Sequence, residues 1–406
     1  MKVINITLLG HKDHGKSTLI GNLLIHTKSV TETRINEAKK TSSELGRQFE
    51  PGYILDSFEE ERMGEMTIDT TRAEIVHKDL AFAFIDVPGH EELIKNMISG
   101  ASYAEIALLL VSAKADEGIR DQTKRHIFIA RMLGIKKLIV AVNKMDMVGY
   151  DQERFEQIKE ELNGFIHRIG FGGNEVYFVP TSAYKAENLL RRSTNMKWYR
   201  GKSLIDLLYV NAKIEDKKKQ NAPLRITVQG AIEAERETIV GKVVSGKVSV
   251  GDEISVLPFG KHAKVTAITV KGKRAKTALV NDDVAMTFDR RIGGNVRGAV
   301  IANKNEKPRL TNTIEGLIFV TGPIKKNLSI KINSNDVRCK SLSVLKYLDT
   351  TTGMESGEDK VRELEAIRAK LVLGGKMPVE DFDSIKELGR FVLYSDRKFA
   401  GIGIIG

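Results

Sequence analysis

An α/β domain built on a doubly wound, mostly parallel sheet and followed by two β-barrels is the fold class that this sequence predicts, and three observations carry it. Over the first two hundred residues, short apolar runs alternate with amphipathic stretches, the pattern of parallel strands joined by helical crossovers. From about residue 222 onward, strand-length runs follow one another across Gly-Lys, Gly-Asp and Lys-Gly turns with no convincing helix among them. Between the two regions, residues 212–221 (AKIEDKKKQN) are charged, lack apolar periodicity and precede Pro223, so they read as a linker. The expected boundaries are 1–211 for the α/β domain, 222–302 for the first barrel and 308–406 for the second.

Taken in order, residues 3–9, 81–85, 106–111, 138–142 and 176–179 are short, rich in branched residues and bounded by Gly, Pro, Asn or Asp, as buried parallel strands are. The clearest helix is 151–169, where Phe155, Ile158, Leu162, Phe165, Ile166 and Ile169 recur at three-to-four spacing. In the first barrel the strands fall at 224–228, 238–244, 253–257, 263–270 and 283–288. A polar joint at 303–308 leads to a second set at 313–320, 328–332, 337–345, 368–373 and 389–394, interrupted by a polar loop at 350–363.

Composition narrows the function classes. The chain is 41% hydrophobic and 29% charged, with no apolar run of the ~18 residues needed to span a bilayer, so no membrane partner is expected. The N-terminal MKVINITLLG enters a strand-like run directly, without a basic region and cleavage site, and a cytoplasmic location is expected. Cys339 has no partner, which excludes a disulfide framework and a cysteine metal site. Net charge is +11. Residues 259–300 and 304–346 each hold nine Lys/Arg against three acids, so the surplus sits in the barrels, where it reads either as a solvated surface or as an RNA footprint.

The chemistry lies at the ends of the first strands. Gly10-His11-Lys12-Asp13-His14-Gly15-Lys16-Ser17 matches G-x-x-x-x-G-K-[ST] between a buried strand and an apolar-periodic helix. In such a loop, which here spans Asp13 and His14 and runs on into Thr18, the backbone amides close around phosphates. Lys16 reaches the β/γ oxygens and the Ser17 hydroxyl ligates Mg²⁺. Asp86-Val87-Pro88-Gly89-His90 follows the next strand and puts a carboxylate near the metal and the Gly89 amide near a γ-phosphate. Asn143-Lys144-Met145-Asp146 ends a later strand, and Ser182-Ala183, with Tyr184 next, follows the last. Asp146 can accept from the ring N–H and amine of guanine, a donor pair that adenine lacks. Asn143 can bridge base and loop, Lys144 can lie across the ring, and the Ala183 amide can donate to the guanine carbonyl. GTP or GDP with Mg²⁺ is the implied ligand.

Two weaker signals remain. Trp198 and Tyr199 lie among Arg191, Arg192, Lys197, Arg200 and Lys202, which suits either a nucleic acid or a packing anchor, and packing is the preferred reading. Of eight histidines, only His14 and His90 fall in mechanistic positions, and no zinc spacing occurs.

These segments resemble the elongation factor 1-alpha and elongation factor Tu family of translational GTPases over nearly the whole chain: GHKDHGKST at 10–18, EERMGEMTID at 60–69, DVPGH at 86–90, NKMD at 143–146, SA at 182–183, NMKWYRGKSL at 195–204 and ELGRFVL at 387–393. The resemblance implies a P-loop GTPase domain before the two barrels, with Thr67 closing on Mg²⁺ and the γ-phosphate and His90 orienting the attacking water beside Lys16. Two branches follow from it. One acts on the ribosome or tRNA-like RNA, with an exchange factor as a further partner. The other is the GTPase subunit of sulfate adenylyltransferase, whose partner is a sulfate-activating protein subunit. DEGIRDQTKRH at 116–126, FGKHAKV within GDEISVLPFGKHAKV at 251–265 and the short second barrel resemble the sulfate branch. Asp13-His14 in the P-loop, ELGRFVL and the basic barrels resemble translation factors, the branch favoured here. The sequence departs from the family pattern at Lys12, where a small apolar residue normally walls the catalytic histidine, and at Glu65, where a glycine is usual.

Overall fold

A computed structural model of the chain describes residues 1–44, 49–55, 71–86, 104, 106–135, 137–172, 175–232, 237–357 and 360–406. They divide into two compact units, Met1–Lys213 with Thr350–Met354, and Ile214–Asp349 with Glu355–Gly406.

The first unit holds β1 (Lys2–Leu9), β2 (Thr71–His77), β3 (Leu80–Asp86), β4 (Ile106–Ser112), β5 (Lys137–Asn143) and β6 (Val176–Pro180) in one sheet, ordered 2-3-1-4-5-6. All neighbours are parallel except β2 and β3, so the sheet is mostly parallel as expected. Strand β2 is the one that the sequence reading missed. Among the described side chains of TRAEIVH, Ala73 and Ile75 are buried and Glu74 and Val76 exposed, an alternation that is a weaker signal than the continuous apolar run of β4, which is buried at every position. The helices are α1 (Lys16–His26), α2 (Glu32–Glu44), α3 (Asp121–Met132), α4 (Gln152–Arg168) and α5 (Leu204–Gln220). In α4 the Asp151 side chain accepts from the Glu153 amide at 3.0 Å and caps the helix, whose buried stripe is Phe155, Ile158, Leu162, Phe165 and Ile166.

Strand order fixes where a ligand goes. β1 lies between β3 and β4, so the connection out of β1 leads to one side of it and the connection from β3 to β4 to the other, and ligands bind outside the carboxyl ends at such a switch point. The register sets Ser112 beside Asn143 and Val142 beside Pro180, so the segments after β1, β4, β5 and β6 emerge along one edge.

The segment expected as a linker is helical: residues 212–220 continue α5, and the division between the two units falls within it, after Lys213. Ala, Lys, Glu and Gln are good helix formers, and the run EDKKKQ at 215–220 offers no apolar period by which to recognise a helix.

In the second unit the strands are β7 (Arg225–Ile232), β8 (Thr238–Ser245), β9 (Lys247–Ser249), β10 (Glu253–Leu257), β11 (Lys261–Val270), β12 (Lys273–Ala275), β13 (Thr277–Leu279), β14 (Asp283–Phe288) and β15 (Val300–Asn303). The order 10-15-7-8-14-11 closes through a β10–β11 pairing, with β12 added beside β11. The strands β16 (Arg309–Val320), β17 (Leu328–Ile332), β18 (Asn335–Leu348), β19 (Ala366–Val379), β20 (Arg390–Ser395) and β21 (Lys398–Ile405) form a second closed barrel, ordered 16-19-18-17-20-21. Closure removes exposed strand edges. β21 was not foreseen because KFAGIGII looks glycine-rich and loop-like. Its glycines are steric: a Cβ on Gly401 would strike the Phe319 carbonyl, and one on Gly403 the Phe391 ring. Within this unit the two barrels are tied by Arg225, 4% exposed at its side chain, whose Nε donates to Glu380 Oε1 at 2.7 Å.

Candidate nucleotide-binding site

The loop after β1 is shaped by two glycines. Gly10 has φ 132° and Gly15 φ 88°, conformations that side chains rarely adopt. Both are also crowded: a Cβ would lie 2.5 Å from the Leu110 carbonyl oxygen at Gly10 and 2.6 Å from Asn143 Nδ2 at Gly15. Between them runs a single 3-10 turn, Lys12–His14, and α1 starts at Lys16. The Lys16 ammonium donates to the carbonyls of Gly10 at 3.1 Å and His11 at 3.3 Å, which holds it across the loop. Ser17 is exposed at the start of α1, and its hydroxyl makes no hydrogen bond among the described residues. Thr18 behind it is half-buried. Asp13 is exposed, 3.4 Å from His11 Nδ1.

His14 faces inward. It is fully buried, its Nδ1 lies 2.9 Å from the Leu110 carbonyl, and its Nε2 makes no hydrogen bond to a described residue. Burial is the main reason that its pKa falls below the ordinary histidine value, so the neutral ring is favoured.

Asn143 joins the other pieces. Its Nδ2 donates to the His14 carbonyl at 2.8 Å, and its Oδ1 accepts from the Ala183 amide at 2.8 Å and from the Thr181 hydroxyl at 3.3 Å. The asparagine therefore links the P-loop to the Ser182-Ala183 loop, and it is 1% exposed. Ser182 is buried and accepts from the Lys185 amide at 3.1 Å, whereas Tyr184 is exposed. Asp146 is half-buried in the turn Met145–Val148, and its carboxylate accepts no hydrogen bond from a described residue, which leaves its oxygens for a ligand.

Two residues belong to this site that sequence reasoning did not name. Asn22, 5% exposed on α1, donates from Nδ2 to the carbonyl of Ala183 at 2.5 Å and so ties the P-loop helix to the base loop. An asparagine within LIGNLLI was the available signal, since a polar residue on an apolar helix face needs a partner. Glu117 accepts from Lys114 at 2.8 Å and Lys144 at 2.6 Å. Burial would raise its pKa, but hydrogen bonds from Lys114, Lys144 and Ser112 outweigh that and hold it at about 2. No pattern in the sequence marks it.

Thr67, Glu65, Gly89 and His90 lie outside the described residues, as do the side chains of Lys12 and Asp86. Of the residues expected to hold Mg²⁺, Ser17 is the one whose side chain is described, and a hydroxyl at a helix start without a hydrogen bond to the described residues fits a ligand role. Among the described residues no group of three or more His, Cys, Asp or Glu forms a separate metal site. Trp198 is an anchor: its indole N–H donates to the Tyr150 carbonyl at 3.0 Å and its ring lies 5.3 Å from that of Phe155. Tyr199 beside it is buried enough to push its pKa up to about 12.

A glycine-shaped phosphate loop at the switch point of a mostly parallel sheet, joined through Asn143 to a base loop, defines a P-loop nucleotide-binding protein. Residues 1–214 match the elongation factor Tu GTP binding domain, and residues 320–406 the GTP-eEF1A C-terminal domain-like family. The chain is similar to elongation factor 1-alpha of Saccharolobus solfataricus, at 34% identity covering 99% of this chain and 96% of that protein. It matches elongation factor 1-alpha of Aeropyrum pernix at 34% identity, with coverage of 99% and 96%. A crystal structure of sup35 complexed with GMPPNP covers all of this chain and 93% of that one at 24% identity and TM-score 0.45. The chain belongs to the elongation factor 1-alpha/Tu family of translational GTPases, binds guanine nucleotides and hydrolyses GTP. None of its described helices is long and apolar enough to cross a membrane.

Proposed function

We propose that this chain is an elongation factor 1-alpha-like switch that acts in translation, binding the ribosome or tRNA-like RNA in its GTP state. The observation that carries the reading is the near full-length similarity to elongation factor 1-alpha proteins, which extends past the GTPase region into the barrels. The basic stretches 259–300 and 304–346 support it, because their Lys and Arg suit a phosphate backbone. Residues 1–211, 222–302 and 308–406 are the proposed functional domains. A translational role implies the cytoplasm and allows for an exchange factor.

At the nucleotide, Gly10, Asp13, His14, Gly15, Lys16, Ser17 and Thr18 cradle the phosphates. Asn143, Lys144, Asp146, Ser182, Ala183 and Tyr184 surround the base, and Asp146 selects guanine. Ser17, Thr67 and Asp86 would hold a Mg²⁺ ion, which would supply charge neutralisation at the phosphates. Lys16 stabilises charge on the transferred group, Gly89 contacts the γ-phosphate and His90 orients water.

Pelleting with ribosomes in the presence of a non-hydrolysable GTP analogue tests the translational reading. Binding that falls steeply with salt, through release of counterions, is the expected result. Background pelleting at low salt, together with GTP-stimulated adenylyl-sulfate synthesis on adding a sulfate-activating subunit, would instead support the sulfate adenylyltransferase reading.

A further inference from the structure

Lys144 follows Asn143 at the end of β5 and takes a left-handed backbone conformation, φ 64° and ψ 31°, that non-glycine residues seldom adopt. Such a conformation persists only where surrounding contacts hold it. The contact on the side chain is Glu117, from the loop after β4, whose Oε2 lies 2.6 Å from the Lys144 ammonium across 27 residues of sequence. The other oxygen, Oε1, takes Lys114 at 2.8 Å.

This is not an ordinary surface pair. The Glu117 side chain is 15% exposed and that of Lys144 26%, whereas Asp116, the second partner of Lys114, is 72% exposed. A partly buried, charge-assisted bond fixes geometry in a way that a solvated pair does not. The two loops it spans are also joined through the backbone, since the Ala113 amide donates to the Asn143 carbonyl at 2.8 Å. Each oxygen of one carboxylate is thus committed to a different lysine, one local and one in the base-recognition motif.

We propose that Glu117 is a positioning residue of the guanine site, which holds the Lys144 side chain in the orientation that lies along the base and so slows nucleotide release. The inference rests on the reading that Lys144 packs on the base. It adds that the lysine does so only while Glu117 restrains it. Left free, a lysine has four rotatable bonds and strong hydration, and would lose conformational freedom on every binding event. The ion pair removes that loss beforehand. Glu117 stays ionised throughout the neutral range, so the restraint does not vary between pH 6 and 8.

The test is dissociation of a fluorescent GDP from wild type, Glu117→Gln, Lys144→Met, the double variant and Lys114→Met, with thermal melts to verify folding. Glu117→Gln is expected to speed release about tenfold, the scale of one charge-assisted hydrogen bond. In the Lys144→Met background the same change is expected to add nothing, because the restrained group is gone. Lys114→Met, which leaves the Glu117–Lys144 bond intact, is expected to stay within about twofold of wild type. An unchanged rate in Glu117→Gln, an additive effect in the double variant, or a Lys114→Met rate equal to that of Glu117→Gln would each overturn the inference while leaving the base-packing reading standing. An unchanged rate in Lys144→Met would overturn both.

Discussion

The phosphate end and the base end of the nucleotide site are built by different means. At the phosphate end the shape comes from missing side chains: Gly10 and Gly15 take positive φ, and each sits where a Cβ would collide with a neighbour. At the base end the shape comes from side chains that are present, as Asn143 and Asn22 reach backbone groups up to 161 residues away. The first arrangement is a local property of backbone conformation. The second is a set of long-range bonds that exists only in the assembled fold. The phosphate end should therefore fail when an atom is added, and the base end when one is removed.

The largest effect is expected for Gly15→Ala. The added methyl meets Asn143 and strains a left-handed position, so GTP affinity by calorimetry should fall by about a hundredfold, near 3 kcal/mol. Affinity within a few-fold of wild type would show that the loop accommodates a Cβ, and would remove the contrast between the two ends.

Asn143→Ala comes next. It deletes three hydrogen bonds and leaves the buried carbonyl of His14 and amide of Ala183 short of partners, at a cost of about 2–3 kcal/mol in urea denaturation. Asn22→Ala removes one well-formed bond to the Ala183 carbonyl and should cost about 1–2 kcal/mol. If the Asn22 change were silent in stability while nucleotide release accelerated, the tie would belong to binding rather than to folding.

The smallest effect concerns pH. Burial lowers the His14 pKa in the folded chain, so the unfolded chain binds more protons near the ordinary value of about 6.5. Stability is then complete above that value and declines as pH falls from about 7 through the folded value. His77, also lowered chiefly by burial, acts with the same sign. His14→Gln should flatten part of the decline in melting temperature between pH 7.5 and 5.5, and an unaltered slope would assign it to other groups.

How much of this could be read from the sequence follows the same division. Strands β1 and β4 to β6 were visible because buried parallel strands are continuous apolar runs, and the P-loop because its glycines are local. β2 and β21 were less visible because half-buried alternation and steric glycines look like loops, and the helical end of α5 because its run EDKKKQ at 215–220 carries no apolar period. At the site, Asn143 was expected to bridge base and loop. The structure adds its bond to Ala183, a connection no local pattern encodes. Asn22 and Glu117 escaped for the same reason: their partners lie on other segments of the chain, and only the fold brings them together.

The guanine choice assigned to Asp146 is tested most directly by calorimetric titration of wild type and Asp146→Asn with GTP, ATP and XTP. Wild type should bind GTP far more tightly than ATP. Asp146→Asn should lose about 1–3 kcal/mol for GTP and prefer XTP, whose ring carbonyl matches the amide donor. Wild type that bound ATP as tightly as GTP, or an Asp146→Asn variant that still preferred GTP over XTP, would contradict the account.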